Sequence, residues 1–186
     1  LVGDTAVITI DTGNLGSSAR PLDVVVNSLA VDSDGGDAYL TSPDGLSIGV
    51  GSKGIDLDGG DLVLSANGPV TQTRAISAGS IDISGSSITL TNTGNRFDDA
   101  TLTSTGDASL FDSLNLTVDG ASVSGTLTLS DAHNIGQSGA IDADSLVVTT
   151  NSGNITLNNT GNDFANATIT ASGDAFIYDS ADLNVA

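Results

Sequence analysis

The stretch ITLTNTGNRFDDATLTSTGDA, residues 88–108, returns in nearly the same form as ITLNNTGNDFANATITASGDA, residues 155–175. Pairing residue 88 with residue 155 keeps the apolar positions apolar and nearly equal in size, so that Ile88, Leu90 and Phe97 meet Ile155, Leu157 and Phe164. A partial third copy lies upstream, since GDAYL at 36–40 matches GDASL at 106–110 and GDAFI at 173–177. Repetition at one long spacing is typical of architectures in which each unit packs only against its neighbours.

The residue composition around this repeat favours strands and turns over helices. The 23 acidic residues are all Asp, Met and Trp are absent, and Gln and Lys occur only at Gln72, Gln137 and Lys53. Asp and Asn compete with a helix for backbone hydrogen bonds, whereas Glu, Lys, Gln and Met lose least on entering one. Short runs of Val, Ile and Leu separated by Gly, Asn, Asp, Ser and Thr therefore predict an all-β chain.

Within each copy, apolar and hydroxyl side chains alternate. Residues 101–103 and 168–170 each place one apolar side chain between two Thr residues, which is the period of a strand with one buried face. Gly with Asn or Asp separates these strands, as at residues 93–95 and 119–120. Because Gly accepts positive φ freely and Asn or Asp tolerates it, these positions predict turns.

The long repeat predicts a parallel β-helix, a solenoid in which short strands stack one above another. Dividing the unit by three gives coils of about 22 residues, and eight or nine coils at about 4.8 Å make a rod of roughly 40 Å. We expect Phe97 and Phe164 in the core, three coils apart. Side-chain amides in the turns are expected to bond the backbone or a like residue in the next coil, at Asn92, Asn95, Asn159 and Asn162.

A β-sandwich or barrel is the alternative all-β fold, but it does not require strands to recur at one long spacing. We expect residues 1–186 to form a single β-helix segment of a longer protein, with internal units near 46–113 and 114–186. Both ends of such a segment would expose strand edges, which makes end-to-end stacking of the isolated chain an expected association.

Three stretches resemble the filamentous-haemagglutinin-type repeats of large bacterial surface adhesins. They are VTQTRAISAGSIDISGSSITLTNTGNRF at 70–97, IGQSGAIDADSLVVTTNSGNITLNNTGNDF at 135–164 and GNLGSSARPLDVVVNSLAV at 13–31. The resemblance implies a right-handed parallel β-helix, an extracellular location at the bacterial cell surface, and a non-catalytic role as a stalk or fibre. Such a stalk presents binding regions to a receptor or glycan on a host or neighbouring cell. The export-signal domain of these adhesins has no counterpart in this sequence.

The charge balance excludes two classes of partner. The formal net charge is -19, and only four Lys and Arg residues oppose it. Nucleic-acid binding and attraction to an anionic membrane both depend on clustered cations, so neither partner is expected. No apolar run approaches the ~18 residues that a membrane span needs, so membrane insertion is not expected either. The absence of cysteine is compatible with oxidising surroundings.

The motifs that suggest enzymes have simpler structural interpretations. Residues 45–49, GLSIG, match the G-x-S-x-G nucleophile elbow, but that elbow needs a following helix, and Leu46 and Ile48 have the alternation of inward strand residues. His133 is the only histidine, and without Cys or Glu it makes a poor zinc site, so we expect it in a surface turn. Acidic residues that could cleave a polysaccharide are expected in turns, with uncharged counterparts in the other copy, at Asp98, Asp99, Asp131 and Asp144. We expect no enzymatic activity and no organic cofactor.

The alternative function is a glycan- or calcium-binding module within the less repetitive residues 32–61. The sequences DSDGGD at 32–37 and DLDGGD at 56–61 surround glycines with carboxylates, and calcium prefers such oxygen ligands. The tandem glycine-rich calcium pattern of β-rolls and the bidentate Glu of an EF-hand are both missing. The candidate calcium ligands are Asp32, Asp34, Asp37, Asp58 and Asp61.

Overall fold

The computed structural model describes residues 1–181 and 183–185. Asp182 and Ala186, which belong to the predicted unit 114–186, lie outside the described residues. The described residues form strands and turns with no helix, and thus no helix that could cross a membrane. The strands are β1 Thr5–Ile10, β2 Leu22–Asp23, β3 Ser28–Ser33, β4 Ala38–Ser42, β5 Leu46–Ile48, β6 Ile55–Asp56, β7 Leu62–Ala66, β8 Val70–Gln72, β9 Ile76–Ser77, β10 Ser80–Gly85, β11 Ile88–Leu90, β12 Asp99–Ser104, β13 Ala108–Asp112, β14 Leu116–Asp131, β15 Ile135–Gln137, β16 Ile141–Thr150, β17 Ile155–Leu157, β18 Asp163–Thr170, β19 Ala175–Ile177 and β20 Asn184–Val185.

All pairings between these named strands are parallel, and each strand pairs with the strand at the same place in the next turn. One stack runs β4, β7, β10, β12 and β14. A second runs β5, β8, β11, β13 and the second half of β14. The chain is a parallel β-solenoid of about nine turns, each of about 19 residues. The predicted fold class is confirmed, and the turns are shorter than the expected 22 residues.

The sequence repeat is longer than three turns of this solenoid. Ile88 pairs with Ala108 in the next turn, and the same stack continues through Leu127 to Leu146. Ile155, the repeat partner of Ile88, lies nine residues beyond Leu146 and belongs to the stack of β15, β17 and β19. The second copy of the repeat therefore begins three turns and part of a fourth after the first. Corresponding residues of the two copies lie on different faces of the solenoid.

The two phenylalanines illustrate this offset. Phe97 and Phe164 are both in the core with 1% of their surface exposed, as expected. Phe164 pairs with Ala143, whereas Phe97 follows Arg96, which forms a bridge with Ser77. The expected separation of three whole coils was wrong, because it assumed that the repeat contains a whole number of turns. Only adjacent turns need to match, and an inward-facing apolar residue can serve on any face.

The core follows the strand alternation read from the sequence. Leu102 is fully buried in β12, while Thr101 and Thr103 on either side of it face outward. Outward hydroxyls stack as well, since Ser47, Thr71, Thr89, Ser109 and Thr128 occupy one register position in successive turns. The Thr-rich strands therefore supply the polar outer surface of the solenoid.

Candidate functional site

An acidic cleft lies at the ends of β1, β3 and β6, which stack in successive turns. The cleft is open to solvent, has a volume of about 540 Å³ and is lined by the carboxylates of Asp11, Asp32, Asp34, Asp56 and Asp58. Asp32 and Asp56 occupy the same register position in adjacent turns, so their strands are separated by about 4.8 Å. Stacking thus concentrates negative charge that the sequence spreads over three turns.

Two of the five predicted calcium ligands lie outside this cleft. The Asp37 Oδ1 accepts the N–H of Asp61 at 3.1 Å, and the Asp61 Oδ1 accepts the N–H of Ser80 at 3.0 Å. Asn14 Nδ2 donates to the Asp37 Oδ2 at 3.1 Å, and the charge of Asp37 raises the pKa of Tyr39. These carboxylates form a side-chain ladder that ties successive turns together.

The cleft has little internal compensation for its charge. Lys53 Nζ lies 3.4 Å from the Asp32 Oδ2, and both side chains are about half exposed, so the ion pair contributes little to stability. Asp58 has φ 47°, a left-handed conformation that Asp tolerates through local hydrogen bonding. Among the described residues, no group of three or more Asp and His side chains is close enough to hold a metal ion.

A second feature is a pair of side-chain amides, the buried Asn95 and the partly buried Gln72. Asn95 Nδ2 donates to the Gln72 Oε1 at 2.8 Å, and Gln72 Nε2 donates back to the Asn95 Oδ1 at 2.8 Å. The Asn95 Oδ1 also accepts the N–H of Ile76 at 2.9 Å, and Nδ2 donates to the carbonyls of Leu90 and Phe111. The pair satisfies backbone groups at a corner where regular strand pairing stops.

The second copy reproduces this amide pair as Gln137 and Asn162. Their reciprocal hydrogen bonds measure 2.9 and 2.8 Å, and the Asn162 Oδ1 accepts the N–H of Ile141 at 3.0 Å. The sequence placed both Asn residues in turns that bond the backbone, which is confirmed. It did not predict the Gln partners, although the only two glutamines of the chain align in the repeat.

A carboxylate beside each amide pair completes the corner, and it is buried in the first copy and partly buried in the second. The Asp112 oxygens accept the N–H groups of Phe97 at 3.2 Å and Leu114 at 2.9 Å. Asp179 in the second copy accepts the N–H groups of Phe164 and Ala181 at 3.0 and 3.1 Å. Burial raises the pKa of Asp112, and the hydrogen bonds from the backbone oppose that shift.

The residues that suggested an enzyme in the sequence lie in ordinary strand and turn positions. Leu46 and Ile48 are buried in β5, and Ser47 lies between them in the outward hydroxyl stack rather than on an elbow before a helix. His133 is exposed in a turn, as predicted, and its backbone N–H donates to the Asp131 carboxylate. Asp131 is buried at the end of β14, and Asp99 and Asp144 lie in β12 and β16, so the expectation that these three residues lie in turns was wrong.

The regular stacking of short parallel strands over one core places the protein among the β-solenoids. Within that class, the chain belongs to the family described as repeats of unknown function, DUF5649, whose unit it matches twice, at residues 35–104 and 105–171. These units begin earlier than the division at 46 and 114 read from the sequence. No curated protein and no solved structure matches the chain.

Proposed function

We propose that the chain is a non-catalytic stalk segment of a secreted bacterial adhesin and holds binding regions away from the cell surface. The unbroken parallel stacking of the strands carries this proposal. The hydrogen bonds between parallel strands run along the solenoid axis, so that bending the rod requires stretching several of them at once. A role that depends on length and stiffness suits such an architecture.

The offset between repeat and turn supports a mechanical role. Corresponding residues of the two copies lie on different faces, as Phe97 and Phe164 do, so a surface feature of one copy is not aligned with its counterpart in the next. The core contacts and the corner hydrogen bonds are nevertheless kept in both copies. The repeat therefore preserves what holds turns together rather than one aligned binding surface.

The surface charge supports the same role. A net charge of -19 makes neighbouring rods repel each other and stay soluble. The outward hydroxyl stack makes its own face of the middle turns polar. In the described residues, the large exposed apolar side chains lie mainly near the two ends, at Val2, Val7, Phe176 and Tyr178.

The experiment compares the full-length protein with a variant that lacks residues 35–171 and with one that carries them twice. Duplication should lengthen the rod by about 35 Å, from about seven added turns of about 4.8 Å, with an unchanged cross-section in small-angle X-ray scattering. Receptor affinity of the full-length protein should stay the same in all three forms, while attachment of cells should depend on length. Loss of receptor affinity on deletion would assign binding to this segment and refute the stalk function.

Cation or glycan binding in the acidic cleft is the second candidate function. The negative charge of Asp32, Asp34 and Asp58, which line the cleft, favours a cation over an acidic glycan. Calorimetric titration with calcium tests it, using Asp34→Asn as the variant and Asp142→Asn, exposed on β16, as the matched control. Heat of binding that Asp34→Asn removes and Asp142→Asn retains would support the site. The absence of saturable heat at millimolar calcium would exclude it.

A further inference from the structure

Two buried carboxyl groups face each other across neighbouring turns. Asp112 ends β13, Asp131 ends β14, and the two residues are paired in register. Their exposed fractions are 0% and 1%. Both Asp112 oxygens accept backbone N–H groups, whereas the Asp131 Oδ2 is buried and has no hydrogen-bond partner among the described residues.

The repeat contains the same register pair without carboxyl groups. The sequence LTLSD at 127–131 corresponds to LVLSA at 62–66, and GDASLFD at 106–112 corresponds to GDAYLTS at 36–42. The equivalents of Asp112 and Asp131 are therefore Ser42 and Ala66, which also pair in register. The solenoid forms this contact without charge, so the carboxyl group of Asp131 is not needed to build the turn.

We propose that Asp131 takes up a proton in the folded chain under mildly acidic conditions, and that this proton fastens β13 to β14. An ionised Asp131 leaves a buried negative charge one strand spacing from the Asp112 carboxylate. This charge is unfavourable because Oδ2 has no hydrogen-bond donor among the described residues and because the neighbouring carboxylate repels it. Asp112 is the better anion of the two because backbone N–H groups bond both its oxygens. Protonation of Asp131 removes the buried charge and the repulsion together.

The groups around Asp131 agree with this assignment. The pKa of Asp131 is raised from 3.8 to about 6, chiefly by burial and also by the charge of Asp112, and the hydrogen bonds from the backbone N–H groups of His133 and Leu116 oppose the shift. The exposed His133 side chain slightly lowers the pKa of Asp131. The charge of Asp98 raises the pKa of Asp112. On β16 the paired neighbour is Thr150, which carries no charge.

The sign of the pH effect follows from the raised pKa. The folded state binds the proton more tightly than the unfolded state, so stability increases as the pH falls through about 6 toward 4 and is lost as the pH rises through about 6. Opening of the β13–β14 contact should be about tenfold rarer at pH 5 than at pH 7.5. The Ser42–Ala66 contact should not share this dependence.

Amide hydrogen exchange at pH 5 and pH 7.5, corrected for intrinsic rates, measures both contacts in the same molecule. We expect the protection of residues 130–133 to increase about tenfold at pH 5, with little change at residues 65–67. The Asp131→Asn variant keeps the size of the side chain without its charge and should hold the higher protection at both pH values. Asp142→Asn, on an exposed residue, should behave as the parent chain.

Two results would overturn the proposal. One is an equal change of protection at residues 65–67 and 130–133, which would assign the pH effect to the whole solenoid. The other is a pH dependence at residues 130–133 that persists in Asp131→Asn. Asp131→Ala, which places at this position the alanine that the earlier copy has at Ala66, provides a second test if the amide variant does not fold.

Discussion

The buried amide of Asn95 makes a quantitative prediction about what holds the solenoid corners together. The Asn95→Ala variant loses five hydrogen bonds, two shared with Gln72 and three with backbone groups of Ile76, Leu90 and Phe111. At about 0.5–1.5 kcal/mol each, the loss should lower the free energy of unfolding by about 2.5–7.5 kcal/mol. The upper part of this range is expected because Asn95 is fully buried and two of its backbone partners, the N–H of Ile76 and the carbonyl of Leu90, are buried with it.

Urea unfolding followed by circular dichroism measures this loss, with Asn92→Ala as the matched control in the same turn. Among the described residues, the Asn92 side chain makes one hydrogen bond, from the N–H of Gly94 to its Oδ1, so its replacement should cost about 0.5–1.5 kcal/mol. Replacing Gln72 and Asn95 together by Leu should cost less than the two single replacements combined, because each single change leaves the other amide without its partner. Equal effects of Asn95→Ala and Asn92→Ala would refute the structural role of the amide pair.

Further predictions concern the core, the turns and the secondary structure. Phe164→Ala should lower the free energy of unfolding by about 3–5 kcal/mol in the same assay, since Phe164 is 1% exposed, and an unchanged midpoint would place it outside the core. Gly139→Ala should be strongly destabilising because an added Cβ would clash with the Asp119 carbonyl oxygen. Gly136→Ala should be tolerated because no atom lies within 4 Å of its added Cβ. Similar unfolding midpoints for the two variants would contradict this geometry. The far-ultraviolet circular dichroism of the chain should show β structure without a helical signal, and a helical spectrum would refute the solenoid.

The sequence predicted that the strands stack in successive turns, but it did not predict which residues of neighbouring turns pair. Alternation within single strands, such as Leu102 between two Thr residues, identifies the inward side chains, because that pattern is set by neighbours along the chain. The number of residues per turn depends on how far each corner extends, and corners of different length produce register steps that range from Leu22↔Leu40 to Ala38↔Leu62. Dividing the length of the repeat by three assumes turns of equal length, so it could not predict these unequal register steps.

For the candidate calcium site too, the sequence predicted the general feature and the structure determined its arrangement. The run of Asp residues at 32–61 indicated a concentration of carboxylates, and the structure brings Asp32, Asp34 and Asp58 into one cleft. It places Asp37 and Asp61 in a ladder that bonds backbone N–H groups instead. Adjacent residues of a strand or turn point in different directions, so a cluster in the sequence becomes two separate features in space.

By itself the sequence determined that the chain is an all-β repeat protein with an apolar core and polar turns, because residue type and alternation act locally. Only the tertiary structure decided which residues of different turns meet: the offset of the two copies, the amide pairs, and the contact of Asp112 with Asp131. These contacts join positions about 20 residues apart, and their partners follow from the length of every turn between them. Local preferences fix where a side chain points, and the closure of each turn fixes what it meets.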